Sequence, residues 1–445
     1  MKKTTTLILF FTLLFMNAMP QQFEWVKTYA SSMGELRCVI IANDHNYIAC
    51  GQKPNSIGYI LKTDTSGALI WNKAYNYLKE IFQIVQTNDG GFALYATNKT
   101  TNKGMFIKTD LNCDTLWSIT LKGVSRNNKC FIQTSDNGYA LAYTNTDTLF
   151  LTKLNSSGSQ LWSKQFYHVF NATSISQASD GGFLISANIT NNGYILKTNS
   201  VGDSLWANIV NISGTQELMG VVESNDHNYV SVYNIYAGCD YITNIRKMTS
   251  FGSVLWEHRI LGTYYSTAWS LCNTKDHGFI VAGYFLNPNI IGGFEYAISK
   301  IDSIGVEKDL YLYSGTGSGY SYSVVQENDS IFITSGYTSD GSAGSGLPIP
   351  CLAKLKANKN LLAITEFYEP TQLSVYPNPV KEVLTIETNS NKNQSVEIFN
   401  LFGQTVYTNI INKKATINTS TFANDVYIIK LSSDKETVVR KFVKE

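Results

Sequence analysis

The chain has 445 residues, and its 35 Lys plus Arg nearly balance its 34 Asp plus Glu. This length predicts two or three domains, and the absence of a basic excess argues against nucleic acid as a partner, because phosphate binding needs clustered positive charge. Charged residues make up only 16%, whereas Tyr and Phe number 27 and 22, a composition that favours strands over helices.

The N-terminus has the pattern of a secretory signal. Lys2 and Lys3 precede an apolar run from Leu7 to Phe15, and Ala18 stands near a cleavage point. We therefore predict a signal peptide over residues 1–20. A membrane anchor is the alternative, but this run is much shorter than the about 20 residues that a spanning helix needs. No later stretch is apolar enough, so we expect an exported chain without a transmembrane segment.

One motif then recurs seven times at intervals of 44 to 53 residues. Each copy begins with Asp in a tight turn, followed by an aromatic or apolar residue, an extended run and a Lys-containing stretch. The seven turn residues are Asp44, Asp89, Asp136, Asp180, Asp226, Asp276 and Asp329. Several copies close with Gly and, four residues later, Trp, as in Gly67 and Trp71. A period in this range indicates stacked supersecondary units.

Each unit contains four extended pieces separated by turn residues. In the second unit they are Trp71–Tyr75, Ile81–Thr87, Gly91–Thr97 and Met105–Thr109. Apolar residues at helical spacing are missing, which argues against helical repeats. Four short strands at this period fit a β-propeller blade.

The ends of the repeat predict ring closure. Trp25 begins the same kind of strand before the first Asp turn, while Asp309 and Leu362 hold the Trp position in the last two units. Eight such strands for seven turns are expected if the N- and C-terminal strands share one blade. We predict an all-β chain, with a seven-bladed β-propeller over residues 22–365 and a small β-sandwich after it.

The Gly-x-x-x-Trp ending resembles the Trp-docking repeat of pyrroloquinoline-quinone-type propellers, in which the Trp of one blade packs against the next. The resemblance implies a structural docking role for Trp71, Trp117, Trp162, Trp206 and Trp256. It implies nothing about quinone, and we expect no cofactor.

After a linker at 366–372, residues 373–445 have a different composition. They contain Tyr376-Pro377-Asn378-Pro379, Gly403, Tyr427 and Lys441 in an order that resembles the type A C-terminal sorting domain of the type IX secretion system of Bacteroidota. The resemblance implies the type IX machinery as partner, and export through the periplasm to the cell surface or the medium. One departure is Asp425, where the family usually has Gly; we expect Asp to tolerate a left-handed turn there.

Catalytic chemistry is hard to find. The turn Asp residues could bind a cation or a sugar, but Asp also starts such turns by accepting backbone hydrogen bonds, and we favour that structural role. His45, His227 and His277 each follow a turn Asp, on loop tips that a propeller would separate, so no metal site is expected. No nucleophile, zinc or phosphate motif occurs, and we assign no catalytic residue.

The loops Gly315–Gly319 and Gly341–Gly346 depart most from the repeat, which makes them candidates for specificity. Cys38 and Cys50 flank the first Asp turn symmetrically and could be either a disulfide or two buried thiols.

Three functions remain open. We favour an exported, non-catalytic propeller that binds glycan or protein, since Tyr-rich surfaces suit sugar stacking. The alternatives are a polysaccharide-degrading hydrolase or lyase with its site in the central pocket, and a passive structural module of the cell surface.

Overall fold

The computed structural model describes most of the chain between residues 23 and 445. The described ranges are 23–29, 34–125, 129–210, 214–238, 240–261, 265–286, 294–313, 318–339, 348–357, 373–388, 393–400, 404–432 and 437–445. The predicted signal peptide, Leu362, the linker, residues 315–317 of the first candidate loop, the loop 341–346 and Gly403 lie outside them. Contacts divide the chain into two units, Met1–Asn358 and Lys359–Glu445. None of the described segments forms a helix long and apolar enough to span a membrane.

The described part of the first unit consists of β-strands. The first half contains β1 Phe23–Thr28, β2 Glu35–Ile41, β3 Tyr47–Lys53, β4 Ile57–Thr63, β5 Leu69–Tyr75, β6 Leu78–Gln86, β7 Phe92–Asn98, β8 Gly104–Thr109, β9 Thr115–Thr120, β10 Phe131–Gln133, β11 Tyr139–Asn145, β12 Thr148–Leu154 and β13 Gln160–Tyr167. The second half contains β14 Asn171–Gln177, β15 Phe183–Ile189, β16 Asn192–Thr198, β17 Ser204–Val210, β18 Thr215–Glu223, β19 Tyr229–Ala237, β20 Asp240–Met248, β21 Val254–Ile260, β22 Ser266–Asn273, β23 Phe279–Leu286, β24 Phe294–Ile301, β25 Glu307–Tyr313, β26 Gly319–Asn328, β27 Ile331–Thr338 and β28 Ile349–Lys356.

These strands form four-stranded antiparallel sheets. Six sheets take consecutive strands, from β2–β5 through β22–β25, and another joins β26, β27 and β28 to the N-terminal strand β1. In that last sheet Trp25 lies opposite Lys354. The N- and C-terminal strands of the unit therefore share one sheet, as we predicted from the strand that precedes the first Asp turn. The first strands β2, β6, β10, β14, β18, β22 and β26 contact one another in this order, and β26 contacts β2.

The strand pairing corrects the point at which each predicted four-stranded unit begins and ends. The Trp71 strand, expected to open the second unit, is β5 and pairs with β4 of the preceding sheet. The reason is the tight turn between them, where Asp64 N–H donates to Ala68 O at 3.0 Å and Gly67 N–H donates to Asp64 O at 3.0 Å. The Trp therefore lies on the outer, fourth strand.

Apolar side chains fill the spaces between neighbouring sheets. Ile48 and Ile60 of one sheet pack with Ile81 and Leu94 of the next, and all four are fully buried. Each such residue stabilises the fold by about 1.5–3 kcal/mol. Cys38 lies opposite Cys50 in this layer, and both are free buried thiols, which is the second of the two alternatives considered above.

The second unit is also built from β-strands. Its described strands are β29 Leu373–Tyr376, β30 Val383–Thr388, β31 Gln394–Phe399, β32 Thr405–Ile411, β33 Lys414–Asn418, β34 Val426–Ser432 and β35 Thr437–Val443. One sheet has the order β29-β30-β33, the other β32-β31-β34-β35. Leu384 and Ile417 of the first sheet share one buried cluster with Ile398, Ile429 and Phe442 of the second.

Candidate functional site

The Asp turns all join the first and second strands of a sheet, and we call the end of the unit where they lie the turn face. Six of the seven Asp residues form ion pairs with a Lys from the third strand of their own sheet. The pairs are Asp44–Lys62, Asp89–Lys108, Asp136–Lys153, Asp180–Lys197, Asp226–Lys247 and Asp276–Lys300. The Lys side chains are mostly buried, with Lys197 only 2% exposed. These carboxylates therefore serve as counterions of the chain's own ammonium groups.

The same carboxylates hold the turn backbone. Asp136 accepts hydrogen bonds from Thr134 Oγ1 at 2.5 Å and from Gly138 N–H at 3.0 Å, besides its contact with Lys153. Partial burial raises the pKa of Asp136, but the bonds from Lys153, Thr134 and Gly138 outweigh it and lower the pKa to about 2.

The seventh turn is built differently. Asn328 Oδ1, not Asp329, accepts the hydrogen bonds, from the N–H groups of Ser330 and Ile331 at 3.1 Å each. The strand register shifts between Gln326 and Asn328, which moves the turn back by one residue. Lys354 of this sheet pairs instead with Glu327 at 3.2 Å.

A second repeated contact was missed in the sequence. A Gln or Glu at the end of a first strand reaches the Asp turn of the preceding sheet and accepts a hydrogen bond from its backbone. The donors and acceptors are Asn43 to Gln86, Asn88 to Gln133, Ser135 to Gln177, Ser179 to Glu223 and Lys275 to Gln326, at 2.6–3.1 Å. The available signal is an amide or carboxylate side chain three residues before the turn Asp.

The Trp side chains lie between successive sheets. A Cβ placed on Gly158 would lie 2.8 Å from the Trp117 ring of the preceding sheet, and one on Gly202 would lie 2.6 Å from Trp162. Trp25 lies beneath Gly67, Trp206 beneath Gly252 and Trp256 beneath Gly305 in the same way. Trp71 packs in the cluster that contains Cys113, which replaces Gly in its turn at φ 60°. Contacts with the closing turn of the next sheet are therefore made by Trp25, Trp117, Trp162, Trp206 and Trp256.

The predicted His residues lie apart. His227 Nδ1 lies 3.0 Å from Glu223 Oε1 and 3.1 Å from Ser179 Oγ, in an open cleft of about 500 Å³ on the turn face. A hydrolytic triad needs the serine and the carboxylate on different ring nitrogens, whereas here both face Nδ1 and Ser179 donates to Glu223. Within the described ranges, no three His, Cys, Asp or Glu side chains come together as a metal site would need.

The opposite face carries a group of aromatic side chains near the strand ends of three neighbouring sheets, all partly exposed except the buried Tyr322. We call it the aromatic band; its members are Tyr236, Tyr241, Tyr265, Trp269, Tyr284, Phe294, Tyr320, Tyr322 and Tyr337. Tyr320 lies 4.4 Å from Tyr284 and stacks on Tyr337 at 4.9 Å between ring centroids. Tyr241, 40% exposed, lies 5.1 Å from Tyr236. Sequence analysis missed the band because its residues are far apart in the chain.

One end of the band is bordered by an ionic cluster. The Arg37 guanidinium lies 4.3 Å from the centroid of the Tyr322 ring. Its Nε lies 2.5 Å from Glu80 Oε1, and an Nη lies 3.2 Å from Glu35 Oε2. Trp269 contacts the other side of Tyr322 edge-on at 5.3 Å. Burial raises the pKa of Glu80 even though Arg37 acts in the opposite direction.

The hydroxyl groups of Tyr284, Tyr320 and Tyr337 stay protonated at neutral pH, because their pKa values are raised. Burial, with a smaller effect of Tyr284, raises the pKa of Tyr320 to about 12. Burial also raises the pKa of Tyr284 and Tyr337. At the other end of the band, the Tyr236 hydroxyl donates to Glu217 Oε2 at 2.9 Å. The band therefore offers ring faces and neutral hydroxyl groups.

In the second unit, the Tyr376-Pro377-Asn378-Pro379 segment is bonded to the last strand. Asn378 Oδ1 accepts from Val443 N–H at 2.9 Å, and its Nδ2 donates to Lys441 O at 3.4 Å. The Tyr376 hydroxyl donates to Glu387 Oε2 at 2.6 Å.

Tyr427, next to the expected departure at Asp425, is buried and stacks on Phe442 at 5.5 Å. The expected left-handed turn at Asp425 is wrong, because its φ is not positive. Its Oδ1 instead accepts from Val426 N–H at 2.7 Å, a bond that Gly could not make.

Several solved structures are similar to this chain at low sequence identity. A protein from Lactobacillus plantarum is 12% identical, with a TM-score of 0.48 over 73% of this chain and 97% of that one. A protein of unknown function from Dyadobacter fermentans is 11% identical, with a TM-score of 0.46 over 75% and 99%. The Dos1 propeller is 12% identical, with a TM-score of 0.46 over 72% and 77%.

No curated protein matches the chain. Residues 374–445 match the family model described as a secretion system C-terminal sorting domain. The chain therefore carries such a sorting domain, which indicates export by type IX secretion to the cell surface or the extracellular space.

Proposed function

We propose that this chain is an exported, non-catalytic glycan-binding protein of a member of the Bacteroidota. In this proposal residues 1–20 are a signal peptide that leads to the periplasm, 22–365 a seven-bladed β-propeller, 366–372 a linker and 373–445 a β-sandwich sorting domain. The propeller assignment is supported by the four-stranded sheets whose first strands contact one another in a closed order. The docking Trp residues and the turn Asp residues then build the blades and bind no ligand.

The aromatic band is the observation that carries the binding function. Aromatic rings are large apolar surfaces, and Tyr adds a hydroxyl that can donate or accept a hydrogen bond. Sugar rings present the matching surface, with apolar C–H faces and hydroxyl edges. A rigid ring of sheets would hold the band in place at little entropic cost.

Non-catalytic binding fits the state of the polar groups. Six of the seven turn Asp residues are paired with Lys, and Arg37 beside the band is paired with two carboxylates. Glycoside hydrolysis needs two carboxyl groups with separate roles across a scissile bond. One observation favours a glycoside hydrolase as the second candidate function. The pKa of Glu80 is raised, and Glu80 and Glu35 both pair with Arg37, so Glu80 could act as the general acid and Glu35 as the second carboxylate.

The first experiment uses the full-length protein recovered from culture medium or cell surface. It measures retention on a panel of polysaccharides together with release of reducing or unsaturated ends. We expect retention without product. Retention of Tyr320→Ala/Tyr337→Ala should be about tenfold weaker, because truncation of an aromatic side chain at the centre of a binding surface can cost about 2 kcal/mol of binding free energy. Tyr167→Ala, 67% exposed on β13 and outside the band, is the control. Product that disappears in Glu80→Gln would establish the enzyme instead.

The second experiment tests the route. Deletion of residues 374–445 should leave the protein inside the cell envelope, whereas fusion of this segment to an unrelated periplasmic protein should export that protein. Unchanged surface display after the deletion would contradict the role of the segment in sorting.

A further inference from the structure

We infer that the glycan bound by the aromatic band is a neutral polysaccharide and that the band discriminates against acidic ones. This inference rests on the proposed glycan binding and adds the class of ligand. It is drawn from the charges at the two ends of the band and from the state of the hydroxyl groups between them.

The first step concerns the cation at one end. In the described part of the chain, Arg37 is the cation stacked on a ring of the band, 4.3 Å from the Tyr322 centroid. Its guanidinium already has Glu80 at 2.5 Å and Glu35 at 3.2 Å. With both carboxylates ionised, these three side chains together carry one net negative charge. A uronate or sulfate group would have to displace one of these carboxylates to reach Arg37.

The second step concerns the other end. Glu217 is partly exposed and accepts the hydrogen bond of the Tyr236 hydroxyl at 2.9 Å. A carboxylate here faces any ligand that extends along Tyr236 and Tyr241. An anionic chain lying over the band would therefore meet negative charge at both ends, and like charges placed across an interface oppose binding.

The third step concerns the middle of the band. Tyr284, Tyr320 and Tyr337 form its most closely packed part, with centroid distances of 4.4 and 4.9 Å. Their hydroxyl groups are neutral at physiological pH, so each can donate to or accept from a sugar hydroxyl. This combination matches an uncharged sugar without requiring an ion pair.

The test compares neutral and acidic polysaccharides that share one backbone. Full-length protein is titrated with methyl-esterified and de-esterified homogalacturonan, and with hydroxyethyl and carboxymethyl cellulose, at low salt. We expect the neutral member of a pair to bind about tenfold more tightly, as a repulsion of about 1.4 kcal/mol gives. The difference should shrink in 0.5 M NaCl, because salt screens exposed charges.

Two variants separate charge from stacking. Glu217→Gln should strengthen binding of the acidic member several-fold and leave the neutral member unchanged, whereas Tyr320→Ala/Tyr337→Ala should weaken both. An unchanged thermal midpoint of Glu217→Gln is the folding control. Equal or tighter binding of the acidic member overturns this inference while glycan binding stands. If neither member of any pair in a wider panel binds, the proposed function falls, and this inference falls with it.

Discussion

At the scale of the residue, the Asp–Lys pairs of the turn face are asymmetric. In the pair at Asp180, the Lys197 side chain is 2% exposed while the Asp is half exposed. Removing the Asp leaves a buried ammonium without its counterion, whereas removing the Lys leaves a carboxylate that water can hydrate. The loss of one partner of a buried pair is costly because the remaining charge stays desolvated.

We therefore expect Asp180→Ala to lower the free energy of unfolding by about 3 kcal/mol. Lys197→Met should cost about 1 kcal/mol, and the double variant should resemble Lys197→Met. Urea unfolding of the four proteins measures the cycle. Asp203→Ala, which removes an exposed pair with Lys164, should leave the midpoint close to that of the parent. Equal costs for the two single variants would contradict the asymmetry.

Glu223 gives a prediction about pH. Burial raises its pKa, but the bonds from Ser179 and His227 outweigh this and lower it below its usual 4.5. A lowered folded-state pKa adds stability above about pH 4.5 that is lost as the pH falls through the folded value.

Glu223→Gln should therefore lower the thermal midpoint at pH 7, where the ionised carboxylate stabilises the fold, and should remove part of the decrease between about pH 5 and pH 3. Gln177 occupies the same position in the neighbouring sheet and accepts the same backbone bond, so the variant should fold. A variant whose acid profile follows that of the parent would show that Glu223 does not contribute to it.

At the scale of the element, the docking of Trp beneath the next closing turn can be separated from backbone strain. Gly158 and Gly90 have φ values of 87° and 86°. A Cβ at Gly158 would meet Trp117 at 2.8 Å, whereas a Cβ at Gly90 would meet nothing within 4 Å. The two glycines differ in the neighbouring ring and not in conformation.

Both Gly→Ala variants should lose about 1–2 kcal/mol from left-handed strain. Gly158→Ala should lose about 1–3 kcal/mol more, because the ring must move. Chemical unfolding of the two variants gives the difference directly. Similar losses of unfolding free energy in the two variants would mean that the Trp117 ring can move at no energetic cost and that its packing does not hold the sheets together.

Many of the strands and turns of the first unit could be predicted from the sequence, because their motifs recur along the chain. The Asp turns, the Trp strands and the terminal strand that completes a sheet are local patterns repeated along the chain. The bond that Gln86 accepts from Asn43 N–H of the preceding turn recurs too, but it joins residues of different sheets, so the Gln or Glu three residues before each turn Asp does not by itself reveal its partner. The aromatic band does not recur: Tyr236, Tyr284 and Tyr320 meet only because three sheets pack side by side. Such a site depends on tertiary packing, which periodicity does not encode.

At the scale of the whole molecule, the first unit depends on its N-terminal strand. β1 covers the outer edge of β28, and Trp25 packs beneath Gly67 and 6.2 Å from Tyr47 of the next sheet. Without β1 one sheet has three strands and an open edge, and open edges promote aggregation.

Deletion of residues 23–29 should therefore lower the thermal midpoint and produce soluble aggregates, detected by scanning fluorimetry and size-exclusion chromatography. Trp25→Ala keeps the strand and removes the ring, so it should show an intermediate midpoint without aggregates. A deletion variant as stable and monomeric as the parent would rule out a closing role for β1.

The pairing of Trp25 with Lys354 also sets a time order. Almost the entire unit separates these residues along the chain, and we expect a pairing of such large sequence separation to form late in folding. Until β28 has been synthesised, β1 has no partner in its sheet. The segment 374–445 follows β28 closely, so the sorting signal becomes available at almost the same moment as the last strand. In chain order, the last strand of the first unit and the sorting domain therefore follow one another closely.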